Sequence, residues 1–530
     1  MATPLIASAD LPENTPGGPQ SATPDVAPPI APAPLADRPR RSVGIIEIIL
    51  IALGLAALMA GELALCKPKA IFNGPFILDE TLTDSIVRDP SIPHSIAAVR
   101  HGVDTNPPIY HLILRGFWMA LHPLFHGSPR VTLRAFSMLC TWLALVGAYA
   151  ILRRGFSMAV ALVAVLAIWA HPDLIEQSAS ARFYAPLLLA SVAMCLSLQM
   201  RGSGVMRGIL AALCAMLLCT LHYFGILVLG SLVLATLLID EGGLWTRILR
   251  VLPTIAGPLA LLPFLPFIRT QHEGISIKTW IDPITFHLAR DFMQMVLCPL
   301  SLLIAVLIWA IGKLIERSRP MEEPIDRLSI RVATVPMLSL ILVPLIIVAF
   351  SAVVQSALIP RYAIATVLSV GALVALLAQN RSGPLLFLLA IGLSGYTAME
   401  LRSVAGSRLG DLNILTTERN EMEGEQPPLP IVFANRADAA QLQAFAPDLA
   451  SRIMLIDERQ PGVELRNFRT YEIEMGTKVA AFYPMPPLLT PDQLKAMGRF
   501  HLMAPTEDWQ SLLLEVPMKH VSGDVYEPLK

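Results

Sequence analysis

From Val43 onward the chain is a succession of long apolar runs, separated by short polar stretches that carry most of the charge. The first run, Val43 to about Leu65, is long enough to cross a hydrocarbon core of roughly 30 Å, which takes about 20 helical residues. Further spans are predicted near 131–152, 156–171, 183–200, 206–221, 223–239, 248–268, 294–313, 334–356, 362–378 and 383–399. That makes about eleven transmembrane helices, each satisfying its own backbone as lipid demands. Beyond residue 400 the pattern changes. Short strand-like runs (PIVFA at 430–434, RIMLI at 452–456) alternate with helical patterns such as ADAAQLQAF and TEDWQSLLLEV. The expected fold class is therefore mainly α: a polytopic helical membrane protein with a small C-terminal α/β domain. The domains expected are a tail over 1–42, a transmembrane domain over 43–400 with a long first loop at 66–130, and the α/β domain over 401–530.

The basic residues set an orientation. Arg38, Arg40 and Arg41, Arg153 and Arg154, Arg201 and Arg207, Arg247 and Arg250, the 313–331 segment and Arg381 fall on one side if 206–239 is read as two short helices turning at Leu221-His222-Tyr223. The positive-inside rule makes that side the cytoplasm. The N-terminus is then cytoplasmic. The opposite, extracytoplasmic face receives the loops at 66–130, 171–182, 270–293 and 357–361 and the C-terminal domain.

Composition narrows the class further. Of 530 residues, 54% are hydrophobic and only 15% charged, against about a quarter charged in ordinary soluble domains. With 40 Lys and Arg against 41 Asp and Glu, no basic excess exists to neutralise a nucleic-acid backbone. Residues 1–37, rich in Pro and Ala, cannot bury enough apolar surface to offset ordering entropy and read as a disordered tail. The run from Val43 is too long for a signal-peptide core and reads as an uncleaved anchor. Cys66, Cys140, Cys195, Cys214, Cys219 and Cys298 form no metal-like spacing and read as small packing residues. The C-terminal segment lacks a Gly-rich fingerprint or P-loop, so no nucleotide is assigned to it.

Polar groups with chemical potential collect in the outer loops. Asp79 and Glu80 follow the first span, but adjacent side chains diverge by about 100° on a helix, so they do not form a facing glycosidase-type pair. One of them could serve as a general base and the other as an anchor or metal ligand; a solvated helix end is the plain alternative. Asn106-Pro107-Pro108 stops and aims the chain before an amphipathic stretch with Tyr110, Phe117 and Trp118. That stretch reads either as an interfacial helix or as a packing helix under the loop. Later loops present Asp173, Glu176, Arg182 and Tyr184, then His222 and Tyr223, then His272, Glu273 and Lys278, then Arg361 and Tyr362. A lone arginine at a helix end is more often snorkelling than functional, but repeated pairing of a charge with an aromatic is harder to dismiss.

The order DE in the first loop, NPPIYHLILR, SARFYAPLLLA, LHYFGILVLG and PRYAIA resembles the GT-C superfamily of bacterial integral-membrane glycosyltransferases. The nearest branch is the protein-mannosyltransferase-like and aminoarabinose-transferase-like one, glycosyltransferase family 39-like. The likeness spans roughly 43–400, and Asn106 stands where histidine is common in the family. What the resemblance implies is an inverting transfer of a sugar from a polyprenyl-phosphate donor to a lipid, glycan or protein acceptor hydroxyl, on the outer face of a bacterial cytoplasmic membrane. Asp79 then matches the catalytic acidic residue, acting as general base on the acceptor hydroxyl, and Glu80 its partner, orienting it or binding a metal. Arg182, His222 and Arg361 are the residues implied to stabilise the departing lipid phosphate. Tyr110, Asp173, Glu176, Tyr184, Tyr223 and Tyr362 complete the expected substrate-binding set. No cofactor is certain, and a divalent cation stays open because no ligand spacing is diagnostic.

Two other classes compete. A secondary transporter or lipid-linked-sugar flippase would place ionisable groups near the bilayer midplane and show repeats. Here the spans are largely free of mid-helix charge. A binding protein whose C-terminal domain is the active part would not need so many spans.

Overall fold

The computed structural model describes residues 43–200, 204–239, 243–273, 281, 283–297, 299–315, 327–423, 427–433, 436–456, 467–503, 516–522 and 524–529. The tail over 1–42, Cys298 and the TEDWQSLLLEV segment up to Glu515 lie outside them.

Every predicted apolar segment is helical, but they are not eleven equal crossings. Among the described residues, seven helices are long and apolar enough to cross a membrane: Ile45–Leu65, Pro129–Leu152, Gly204–Leu221, Leu244–Gln271, Arg327–Val353, Pro360–Ala378 and Gly383–Glu423. Two bent pairs, Met158–Trp169 with Pro172–Ser178 (72°) and Phe286–Leu297 with Leu300–Leu314 (58°), bring the number to at most nine. Tyr184–Gln199 and Gly225–Ile239 are shorter than a full crossing. The bend in the first pair has a local cause. His171-Pro172 interrupts the helix, because proline removes a backbone donor and keeps its predecessor extended.

The core is continuous across these helices, and Met158–Trp169 is buried over most of its surface. Such a helix is apolar on every face because it has no solvent side to present. Gly371 lies against Ile168 so closely that a Cβ there would collide with its side chain, which fixes how tightly Val367–Ala378 and Met158–Trp169 pack.

Polar contacts mark the two ends of the bundle. At one end Glu47 accepts from Tyr149 Oη and Arg153 Nε, both at 2.6 Å, while Arg154 donates to Gln199. About 28 Å along the Pro129–Leu152 helix, at 1.5 Å per residue, Arg134 marks the other end. There the first loop folds into short helices: Pro68–Asn73, Leu78–Arg88, Ile92–Arg100 and the amphipathic Ile109–Leu121.

Gly383–Glu423 is one helix of 41 residues and runs straight through the domain boundary expected at 400. Beyond it lies a six-stranded sheet in the order β3-β2-β1-β4-β6-β5. Its strands are β1 (Ile431–Phe433), β2 (Ile453–Ile456), β3 (Leu488–Leu489), β4 (Phe500–Met503), β5 (Met518–Ser522) and β6 (Val525–Pro528). β1 pairs in parallel with β2 and β4, in the register Ile431 to Ile453 and to His501, and β6 adds antiparallel to β4. Fully buried Ile431, Val432 and Phe433 explain why the PIVFA run is continuous, as for a central parallel strand.

This domain rests on the first loop. Val479 packs with Ile86, Ala98, Val99 and Val103, flanked by Phe482 and Tyr483. Tyr483 Oη donates to Asp89 Oδ2 at 3.1 Å, and Lys478 Nζ donates to the Gln271 carbonyl at 2.6 Å. Gly102 (φ +94°) passes beneath that contact, where a Cβ would lie 3.1 Å from the Gln271 carbonyl oxygen.

Candidate active site

Asp79 and Glu80 occupy the first turn of Leu78–Arg88, and the helix points them apart, as neighbouring positions must. Glu80 turns inward. Arg134 donates to both its oxygens (Nε to Oε1 3.1 Å, Nη2 to Oε2 2.7 Å), and the Ala181 amide donates to Oε1 at 2.7 Å. The Ile77 amide also reaches Oε2 at 3.3 Å, so the carboxylate caps its own helix. Burial alone would raise this carboxyl; the Arg134 charge and hydrogen bonds reverse that and hold it at about 2. Both oxygens are engaged. The expected metal-ligand alternative for Glu80 has no free oxygen to rest on.

Arg134 also donates to the carbonyls of Ile71, Phe72, Gly74 and Pro75. One guanidinium thus ties the loop before Asp79, the acid beside it and, through Glu80, the loop that carries Arg182. Arg134 is absent from the residues expected above. Its signal was an ionisable residue within the apolar run TLRAFSMLC, which is expensive unless paired.

Asp79 faces the other way. Arg361 Nη2 donates to its Oδ2 at 3.2 Å, and Arg182 Nη2 lies 3.9 Å from the same oxygen. Asp79 is 34% exposed, against 25% for Arg361 and 9% for Arg182, so the acid opens outward between two more enclosed cations. Arg361 sits in Pro360–Thr366, where Pro360 starts a tight helical turn; Arg182 sits in the loop that opens Tyr184–Gln199. Buried Nε–H groups on both arginines lack an acceptor among the described residues. They are spare donors, of the kind that planar guanidinium groups offer to phosphate.

Aromatic rings line the cations. Arg361 lies over Tyr184 (5.7 Å) and Arg182 over Phe183 (4.9 Å). Tyr362 is 5.5 Å from His222 and 6.4 Å from Tyr184, and Phe183 is 4.5 Å from His222. His222 is therefore in the cluster, but not as a charge. Burial, then the neighbouring Arg182, lower its pKa to about 3. Its Nδ1 accepts from the Phe224 amide at 3.0 Å, which leaves Nε2 carrying the proton. The side chain therefore offers this cluster a neutral N–H donor, not a charge.

The remaining expected residues divide. Tyr110 is fully buried, packs edge-on to Phe183 at 5.8 Å, and its hydroxyl lacks a partner among the described residues. Tyr223 instead donates to Gln271 Oε1 at 3.2 Å, a link between loops. Asp173 lies 3.9 Å from His171 and Glu176 is exposed beside Arg408; neither is among the ion-pair partners described for Asp79, Arg182 or Arg361. Glu273 lies near Lys478, while the side chain of His272 and all of Lys278 fall outside the described residues. Among the described residues no group of three or more His, Cys, Asp or Glu could hold a metal ion. One carboxylate held by two guanidinium groups does not fit a bound cation.

Asp104 is a further residue that the sequence reading passed over. It is buried, accepts from Arg182 Nη1 at 2.9 Å and from Asn106 Nδ2 at 2.7 Å, and lies 3.4 Å from His111 Nε2.

No family model and no curated protein matches the chain. Among solved structures, ArnT from Cupriavidus metallidurans bound to undecaprenyl phosphate matches at TM-score 0.55 and 13% identity, covering 91% of this chain and 97% of that one. The apo form of the same protein matches at TM-score 0.54 and 12% identity over the same shares. The fold is accordingly similar to that of ArnT over 91% of this chain.

Proposed function

We propose that this protein transfers a sugar from a polyprenyl-phosphate donor to an acceptor hydroxyl at the outer face of a bacterial cytoplasmic membrane. The observation that supports it best is Asp79 standing between Arg361 and Arg182, at 3.2 and 3.9 Å. A lipid-linked donor enters laterally, with its phosphate at the depth of these arginines. The likeness in fold to a protein solved with undecaprenyl phosphate bound adds to this reading.

In the proposed reaction the acceptor O–H lies within hydrogen-bond reach of Asp79, about 2.6–3.2 Å. Its oxygen attacks the anomeric carbon from the face opposite the phosphate and its proton passes to Asp79. The bond between the anomeric carbon and the phosphate oxygen breaks, the electron pair stays on that oxygen, and the configuration inverts. Arg182 and Arg361 stabilise the charge that develops on the leaving polyprenyl phosphate. The neutral His222 offers one further N–H. Glu80 does not touch the reactants; gripped by Arg134, it holds both the Asp79 helix and the Ala181-Arg182 loop in place. The acceptor is a lipid, glycan or protein hydroxyl.

The test is Asp79→Asn assayed with a polyprenyl-phosphate sugar in detergent or proteoliposomes. Transfer is expected to fall by about 10²–10⁴-fold with membrane insertion unchanged. Near wild-type turnover would overturn the general-base assignment.

A further inference from the structure

The turn before the amphipathic helix carries a carboxylate that the proposed reaction leaves without a task. Asp104 is as enclosed as Arg182, and its Oδ2 is the acid nearest to that guanidinium, 2.9 Å from Nη1. We propose that Asp104 is a positioning residue: it holds Arg182 back from Asp79, so that the base stays available and one side of the guanidinium stays turned towards a phosphate. The inference rests on the sugar-transfer reading.

The distances state the competition. Arg182 has two acids within reach, Asp104 at 2.9 Å and Asp79 at 3.9 Å. Its Nη1 is held by three acceptors: Asp104 Oδ2, the Asp79 carbonyl at 3.1 Å and Thr83 Oγ1 at 3.1 Å. Thr83 Oγ1 in turn donates to the Asp79 carbonyl at 2.9 Å. The guanidinium is thereby anchored on the Nη1 side to backbone and Asp104, and only its Nη2 side leans towards the Asp79 carboxylate. Remove the Asp104 charge, and the nearest counter-ion left to a buried cation is the base itself. A close Arg182–Asp79 pair would then occupy both groups that the reaction needs.

Asp104 is itself over-determined, as a part that fixes another must be. Asn106 donates to its second oxygen, and the buried His111 ring stands 3.4 Å from the first. Gln271 Nε2 donates to the carbonyls of Val99, Asp104 and Asn106 at 3.1, 3.2 and 3.3 Å, closing the turn around it. Lys478 of the C-terminal domain caps the Gln271 carbonyl above Gly102. Burial would raise the Asp104 carboxyl, but the Arg182 charge and its hydrogen-bond partners hold it well below the ordinary range, so the anion persists.

A double-mutant cycle on the full-length protein tests the role. Asp104→Asn is expected to raise the KM for the polyprenyl-phosphate sugar at least about tenfold, with acceptor KM unchanged. In an Arg182→Gln background the same change is expected to alter donor KM by less than about twofold, because the residue it acts through is gone. Effects that multiply fully, or an Asp104→Asn enzyme with wild-type donor KM, would overturn the proposal. Should Asp104→Asn fail to fold, Asn106→Ala takes its place. It removes a hydrogen bond to Asp104 but no charge, and it is expected to raise donor KM a few-fold only when Arg182 is present; a rise of the same size without Arg182 counts against us. Binding of plain polyprenyl phosphate to the unaltered protein reads the transfer proposal separately. With that binding intact, additive effects refute the role of Asp104 alone.

Discussion

Arg134 and Glu80 form a two-pronged ion pair in which both side chains are 1% exposed, and the pair joins a membrane helix to the helix that carries Asp79. Breaking one side of such a pair leaves an uncompensated buried charge, which typically costs about 3–5 kcal/mol. Glu80→Gln and Arg134→Met are each expected to lower the unfolding temperature in detergent markedly. The double variant is expected to recover part of that loss. Glu80→Gln with unaltered stability would show that the carboxylate is not held as described.

Arg361 is the more exposed of the two site cations, so it can be tested with less risk to folding. Arg361→Ala is expected to reduce kcat/KM for the lipid donor by about 10²-fold, the usual effect of losing one donor to developing charge. Arg361→Lys should recover only part of it, since an ammonium lacks the planar fork. The readout is donor and acceptor saturation measured side by side; a change confined to the acceptor would assign Arg361 elsewhere.

His222 gives a stability dependence on pH with a defined sign. Its folded-state pKa is depressed to about 3 from an ordinary value of about 6.5. The unfolded chain therefore binds a proton that the native protein refuses between those values, and native stability falls as pH drops from 6.5 towards 3, by about 1.4 kcal/mol per pH unit at most. His222→Gln is expected to flatten that part of the curve in detergent melts at pH 7, 6, 5 and 4. Parallel curves for the two proteins would mean that His222 is not buried neutral.

Orientation is checked by reporter fusions after Arg154 and after Glu423. The first is expected in the cytoplasm and the second outside, because the Glu47–Arg153 end and the Asp79 end lie on opposite sides of the bundle. A reporter outside after Arg154 and cytoplasmic after Glu423 would invert the proposed site of transfer, and two cytoplasmic reporters would refute the opposite placement of the two ends.

The apolar rhythm made the helices legible, because lipid imposes it: most predicted runs are helical near their expected bounds, but the last runs on to Glu423 and the 294–313 run straddles two helices bent by 58°. Crossing number was less legible, since period and length do not show where a run bends, as it does at His171-Pro172. In the site, Asp79, Arg182 with Tyr184, His222, and Arg361 with Tyr362 come together from four loops, all but Asp79 flagged by a charge beside an aromatic ring. Arg134 and Asp104 escaped notice because their importance lies in whom they hold, which spacing along a chain does not encode. Tyr223 shows the converse: it carries the same local signature as its neighbour His222, yet its hydroxyl is spent on Gln271.

The helix Gly383–Glu423 extends about 61 Å at 1.5 Å per residue, twice the thickness of a hydrocarbon core. Roughly half of it therefore stands clear of the lipid as a stalk. A stalk without a break fixes direction: the angle set by the half in the lipid is carried unbroken to the sheet at its far end, as a mast keeps the line of its step. Arg408, which donates to the Ile71 carbonyl, and Tyr483, which donates to Asp89, are the stays that tie this mast and its sheet to the first loop.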